Sequence, residues 1–220
     1  MKKDEVMKIK FFSVVVFSLM MFNVYGQSEK GNRFSILFSP QLSWMKSNHN
    51  AVNSNGNMFG YDFGFAYDHF FDKNYAFSTG IVINTTGGKL TYRDGVKADV
   101  GGELIQVTDL DYKLKYVEIP FGLKLMTKNF RRIRYYTEMG MFMQFNIKAR
   151  NENSKSLKEE VNFFDLGYHL GGGVEYSVGG DTYLLFGLKY SSGFVDVTDN
   201  NTISDKTNLQ RFEFRFGIVF

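Results

Sequence analysis

Glu118, Lys124, Glu138, Lys148, Asp165, His169, Glu175, Lys189, Arg211, Glu213 and Arg215 supply the carboxylates, imidazole and cations from which chemistry could be built. Such groups serve general acid–base catalysis and metal ligation. Neither use fits their spacing. The sequence holds three histidines, His49, His69 and His169, without the His-x-x-x-His or similar pairing that a transition metal takes. His49 with Ser47 or Ser54 is the single combination resembling a nucleophile and its base, and the residues around it are those of a solvated loop. Asp196, Asp199 and Asp205, with Asn200 and Asn201, lack the ligand order of a calcium loop. Gly171-Gly172-Gly173 is followed by no Gly-Lys-Ser/Thr and so is not a phosphate loop. No catalytic, cofactor or metal site is expected, and the protein is not expected to be an enzyme. What the charged set shares is parity: each member falls opposite a row of apolar side chains. It reads as a structural network of both signs, nearly satisfied throughout, because an unpaired buried charge costs several kcal/mol.

The elements that hold these residues are strands. In Leu209–Phe220, Phe212, Phe214, Phe216, Ile218 and Phe220 share one face, while Arg211, Glu213, Arg215 and Gly217 share the other. A helix would scatter those rings around its circumference. The same alternation marks Arg33–Trp44, Phe59–Phe70, Tyr75–Thr85, Tyr112–Met126, Arg134–Lys148, Phe164–Tyr176 and Tyr183–Gly193, making eight segments with the last. Short connections (Phe71 to Asn74, Thr127 to Ile133, Ser177 to Asp181) alternate with long polar ones (Met45 to Met58, Thr86 to Asp111, Ala149 to Phe163, Val195 to Asn208). The expected fold is all-β: a single eight-stranded antiparallel transmembrane β-barrel with long extracellular loops and short periplasmic turns, closed by its final strand.

A soluble eight-stranded barrel obeys the same alternation with its solvents exchanged. The aromatic rows decide against it, since Phe59, Tyr61, Phe63, Phe65 and Tyr67 would overfill a narrow interior. Glycines opposite them suit a crowded lumen. Tyr67, Tyr75, Tyr135, Tyr176 and Tyr190, near strand ends, suit an interfacial girdle. An eight-stranded interior is filled by side chains, so a solute channel is not expected. A ligand-binding or lipid-handling barrel, enzymatic or not, is the alternative; it would need an open apolar cavity reached from the rim.

Bulk composition agrees. Aromatics make up 17% of 220 residues, with 2 Pro and no Cys, which is strand-rich usage without a disulfide framework. Lys8 and Lys10 precede an apolar run from Phe11 to Phe22 and then Val24-Tyr25-Gly26, the layout of a secretory signal peptide over residues 1–26, with the barrel domain over 27–220. Asp4 and Glu5 are unusual in such a leader, so translation from Met7 is an alternative start. The leader carries most of the formal +3 charge, and nucleic acid is excluded as a partner.

Tyr116-Val117-Glu118-Ile119-Pro120-Phe121-Gly122-Leu123-Lys124-Leu125 resembles the Tyr-Leu-Glu-Ile-Pro-Leu-Leu-Leu-Lys signature of the PorT-like outer-membrane β-barrel family of Bacteroidetes, departing from it at Val117, Phe121 and Gly122. Gly87 to Tyr92 and the terminal Phe220 also resemble that family. The motif residues Tyr116, Glu118, Ile119, Pro120 and Lys124 carry the likeness. It implies a barrel in the outer-membrane bilayer, inserted by the assembly machinery through its C-terminal strand. Envelope or secretion proteins are the partners it implies. Pro120 cannot donate to a ladder, so a local bulge is expected there.

Overall fold

The computed structural model describes residues 31–49, 52–93, 97–198 and 206–220. The expected leader, 1–26, lies outside them. Among the described residues the strands are β1 (Asn32–Ser47), β2 (Val52–Ser54), β3 (Met58–Asp72), β4 (Tyr75–Tyr92), β5 (Lys97–Asp99), β6 (Leu104–Gln106), β7 (Asp109–Met126), β8 (Ile133–Arg150), β9 (Phe164–Gly179), β10 (Thr182–Gly193) and β11 (Thr207–Val219). The eight long strands pair antiparallel in the order β4-β3-β1-β11-β10-β9-β8-β7, and β7 returns to β4. Closure leaves the long sheet no edge. The final strand joins the first, with Phe38 opposite Phe216 and Leu42 opposite Phe212.

Period-two alternation sorts the side chains cleanly. Phe38 (48% exposed), Phe63 (47%), Phe186 (43%) and Phe216 (44%) stand on the outer face, whereas Arg211 and Glu213, each 1% exposed, point inward. Cross-strand register stacks the outer rings in rows, as in Phe38 opposite Phe63 and Phe186 opposite Phe216. The apolar band runs on β4 from Tyr75 to Thr85 and on β7 from Val117 to Leu125. Those lengths match the roughly 9–11 residues a tilted strand needs to cross a bilayer core. Tyr67, Tyr75, Tyr135 and Tyr176 mark one rim of the band. Trp44, Tyr168 and Tyr190 mark the other, with ring centroids 6.5 Å (Trp44–Tyr190) and 6.3 Å (Tyr168–Tyr190) apart.

At the long-loop end the strands outrun the band, and their faces exchange chemistry. On β7, Leu110, Tyr112, Leu114 and Tyr116 point inward, while Asp111, Lys113 and Lys115 point outward. On β4, Leu90 and Tyr92 are inside and Lys89 is outside. Residues 86–92, including the Gly87–Tyr92 stretch, therefore continue a strand instead of forming the loop expected from Thr86 onward. Their inward side chains join Met45, Val52, Ala98, Val100, Val107, Ala149, Leu157, Val161, Val197 and Leu209 in one apolar cluster. The Tyr92 and Tyr112 hydroxyls meet at 2.6 Å within it.

Two register features differ from expectation. No bulge occurs at Pro120, which keeps its partner Phe142 on β8. On the β4 side the register is the same before and after Ile119 and Pro120, which simply have no ladder partners there. The missing donor is thus absorbed by a local gap, and Thr79 Oγ1 donates to the Pro120 carbonyl at 2.9 Å. The bulge lies higher, where Lys115 pairs Lys148 and Tyr116 pairs Asn146, leaving Ile147 as the extra residue. Beyond it the parity of β8 reverses: Ala149 is buried and Lys148 is exposed. The expected inward position of Lys148 is corrected by this one inserted residue.

Candidate functional site

Inside the band the charged side chains form three contiguous groups. Nearest the short turns, Glu175 accepts from Arg33 Nη1 at 2.9 Å and Arg134 Nε at 2.9 Å, and its other oxygen faces Lys124 Nζ at 3.0 Å. Lys124 also reaches Asp68 at 2.7 Å, and Asp68 accepts from Ser78 Oγ at 2.6 Å. Tyr183 lies under both guanidinium groups, 4.8 Å from Arg33 and 3.9 Å from Arg134, giving each cation an aromatic face as well as a carboxylate.

At mid-height Glu138 receives Arg215 at 2.9 Å, and His169 Nε2 stands 3.3 Å from its second oxygen. Above these, Arg211 contacts Glu118 at 2.6 Å and Gln144 at 2.9 Å, while Lys189 contacts Glu213 at 2.8 Å. Gln144 donates to Asp165 at 2.7 Å, Asn84 to Glu118 at 3.0 Å, and Gln41 to Asn84 at 2.7 Å. The amides extend the charged core across strands that carry no charge at that level. β8, β9, β10 and β11 bring most of these groups together because each places its polar residues on one parity.

Of the residues expected in the lumen, Glu118, Lys124, Glu138, Asp165, His169, Glu175, Lys189, Arg211, Glu213 and Arg215 are all buried there. Lys148 is not among them. Asp62, Asp68, Arg33 and Arg134 belong to the same interior and were missed. The signal was available: Asp62 and Asp68 lie opposite the Phe59–Tyr67 row, and Arg134 shares the parity of Glu138. Of the motif residues, Tyr116, Glu118 and Lys124 point inward from β7 and are buried, while Pro120, also of inward parity, is half-buried and Ile119 sits on the outer face.

Space is nearly exhausted. A cavity of about 10 Å³ lies among Asp62, Ser78, Glu138, Lys189 and Arg215, room for one water at most. A Cβ on Gly187 would collide with the Tyr136 hydroxyl and one on Gly167 with the Phe142 ring, so these glycines admit the large side chains opposite. The other candidates for chemistry stand apart from this interior. His49 is exposed, its amide donating to Ser47 Oγ at 3.2 Å, and Ser54 is exposed on β2. His69 meets Asn32 at 2.8 Å on the surface. Asp196 accepts from the amides of Thr198 (3.2 Å) and Thr207 (2.8 Å). Asp199, Asn200, Asn201 and Asp205 lie outside the described residues.

The long-loop end is closed by its own connections. The Asp99 amide donates to the buried Glu160 carboxylate, Gly101 N to Ser156 O at 2.9 Å, and Asn162 N to Val197 O at 3.0 Å. These bonds tie the β6-side hairpin, the β8–β9 connection and the β10–β11 connection over the apolar cluster.

A closed barrel with an apolar outer band and an ionic interior is the arrangement of bacterial outer-membrane proteins, and the outer membrane protein beta-barrel domain matches residues 21–199 of the sequence. The chain belongs to that family. This outer-membrane barrel is similar to the crystal structure of Neisserial surface protein A, at 13% identity and a TM-score of 0.53, over 86% of this chain and 97% of that one. It is likewise similar to OprG from Pseudomonas aeruginosa, at 10% identity and a TM-score of 0.51, over 86% and 96% of the two chains. At these identities the likeness concerns the fold. No curated protein matches the sequence. The outer-membrane barrel sits in the lipid bilayer of a bacterial outer membrane, its aromatic rows against acyl chains.

Proposed function

We propose that this barrel is a non-catalytic component of the bacterial envelope, acting through the surface formed by its long connections, which face the cell exterior. The observation that carries the reading is a lumen filled twice over, with ion pairs inside the bilayer band and apolar side chains above it. Transport needs a path and catalysis on a lipid needs a cleft open from the rim. Here the candidate cleft is occupied by Tyr92, Tyr112, Leu114 and Leu157, all essentially inaccessible. The motif likeness of Tyr116, Glu118, Ile119, Pro120 and Lys124 supports a PorT-like barrel of the Bacteroidetes type. Envelope or secretion proteins are then the partners to seek. The leader would be removed before Gln27, and Phe212 to Phe220 would present the closing strand to the assembly machinery.

The test is affinity capture from detergent-solubilised outer membranes with the full chain and with a variant whose 97–106 hairpin is replaced by a short Gly-Ser link. Proteins retained by the first and lost by the second support the reading. Capture of the same set by both rules it out. A cysteine introduced at Gly102 and labelled on intact cells by an impermeant reagent checks the orientation separately.

A further inference from the structure

The bulge that turns Lys148 outward sets it beside another lysine. Lys115 and Lys148 are direct cross-strand partners on the outer face of β7 and β8, and the next outward rung pairs Lys113 with Arg150. Lys113, Lys148 and Arg150 are exposed and Lys115 is half-exposed. Like charges placed directly opposite repel. The acids nearest them on β7 are engaged elsewhere: Asp111 pairs with Lys89 at 2.7 Å, and Asp109 accepts from Asn55 and Thr91. Four cations therefore face outward with no carboxylate partner among the described residues.

Their height gives them a use. Val117 and Phe145, partners of each other on the outer face, stand directly below Lys115 and Lys148 at the edge of the apolar band. Phe145 packs on Phe163 and Phe164, with ring centroids at 5.7 and 5.6 Å, and both of those rings are exposed, as is Ile147. Two rungs of cations over a cluster of exposed aromatic and aliphatic side chains match a molecule with phosphate above and acyl chains below. We propose that Lys113, Lys115, Lys148 and Arg150 form a binding site for the phosphorylated headgroup of an outer-leaflet glycolipid, whose chains lie on Val117, Ile147, Phe145, Phe163 and Phe164. The site rests on the reading that the long-loop end faces outward, which puts it in the outer leaflet. An anion between the rungs removes the repulsion that the register imposes, and it fixes the barrel's height and rotation in the leaflet.

Native mass spectrometry of the full chain in detergent tests this with bisphosphorylated lipid A and its dephosphorylated form as probes. The wild-type chain should hold the phosphorylated lipid about tenfold more tightly or better, given the contribution of each cation near an anionic headgroup. K113Q/K115Q/K148Q/R150Q should abolish that preference. K46Q, at the same end of the molecule on β1, should leave it unchanged. Equal binding of both lipids by the wild-type chain overturns the proposal, as does an undiminished preference in the quadruple variant. Heat-modifiable migration reports folding of each variant, and the wild-type comparison decides alone if the quadruple variant does not fold. Detergent removes orientation from the measurement, so a wrong orientation would appear in the cysteine labelling and not here.

Discussion

Lysine at position 148 and arginine at position 211 look alike in the sequence, each on the polar parity of its strand, yet the structure puts them in different solvents. Arg211 is enclosed with Glu118, Glu213 and Gln144 around it and the Phe142 ring 4.9 Å away. Arg211→Ala should cost about 3–5 kcal/mol, because it leaves Glu118 buried without its closest cation. Lys148→Gln should change stability by less than about 0.5 kcal/mol, as expected for an exposed side chain. Urea titration of the barrel in lipid vesicles, followed by Trp44 fluorescence, separates the two outcomes, and a large loss in Lys148→Gln would return that lysine to the lumen. The same pair shows how far residues could be read. Position within an alternating run was enough for Glu138, Glu175 or Arg215. It failed at Lys148 because one unpaired residue, Ile147, shifts the parity, and nothing in Asn146-Ile147-Lys148 announces a bulge. The network's exact pairings, such as Glu175 with three cations, depend on register between strands distant in sequence and were not legible.

Among the elements, β11 is the one whose two faces differ most, with Phe212 to Phe220 outside and Arg211 to Arg215 inside. A charge placed on its outer row tests the lipid assignment by depth. Phe216→Arg, near the middle of the band, should destabilise by about 2–4 kcal/mol, and Gln210→Arg, above it beside Trp44, by about 0–1 kcal/mol. Unfolding titrations in vesicles would show the difference. Equal effects at the two positions would mean that no hydrocarbon slab surrounds the strand. Strands of this kind declare themselves by alternation, which is why seven of the eight lie within three residues of their expected bounds at each end. The exception is instructive: β4 continues to Tyr92, seven residues past its expected end at Thr85. The outer face turns polar at Lys89 and the inner face apolar at Leu90, so a search for apolar-outside alternation stops where the bilayer does. Strand and membrane end at different places, and the sequence pattern follows the membrane.

The molecule as a whole stacks two solvation schemes on one axis: apolar outside and ionic inside within the bilayer, then polar outside and apolar inside above it. The upper core belongs to the loops as much as to the strands, since Val52, Ala98, Val100, Val107, Leu157, Val161 and Val197 come from connections or short strands. A polar composition concealed this in the sequence, where those segments read only as long loops. The two cores meet at Tyr116 and Arg211 but are held by different forces, so they should fail separately. Leu157 is fully buried in the upper core, and Leu157→Ala should remove about 2–5 kcal/mol from it. The loss should appear as faster tryptic cleavage at Lys155 and Lys158, which flank that side chain in an exposed segment, and as faster amide exchange in 97–107. The barrel below keeps its ladder and ion pairs, so heat-modifiable migration and the urea midpoint should stay near wild type. Single-channel recordings should remain closed in the variant, because the ionic core still fills the lumen when the cap is loosened. Cap and barrel melting together, or ion conductance appearing on loss of Leu157, would show that the apolar lid and not the salt-bridged interior seals this protein.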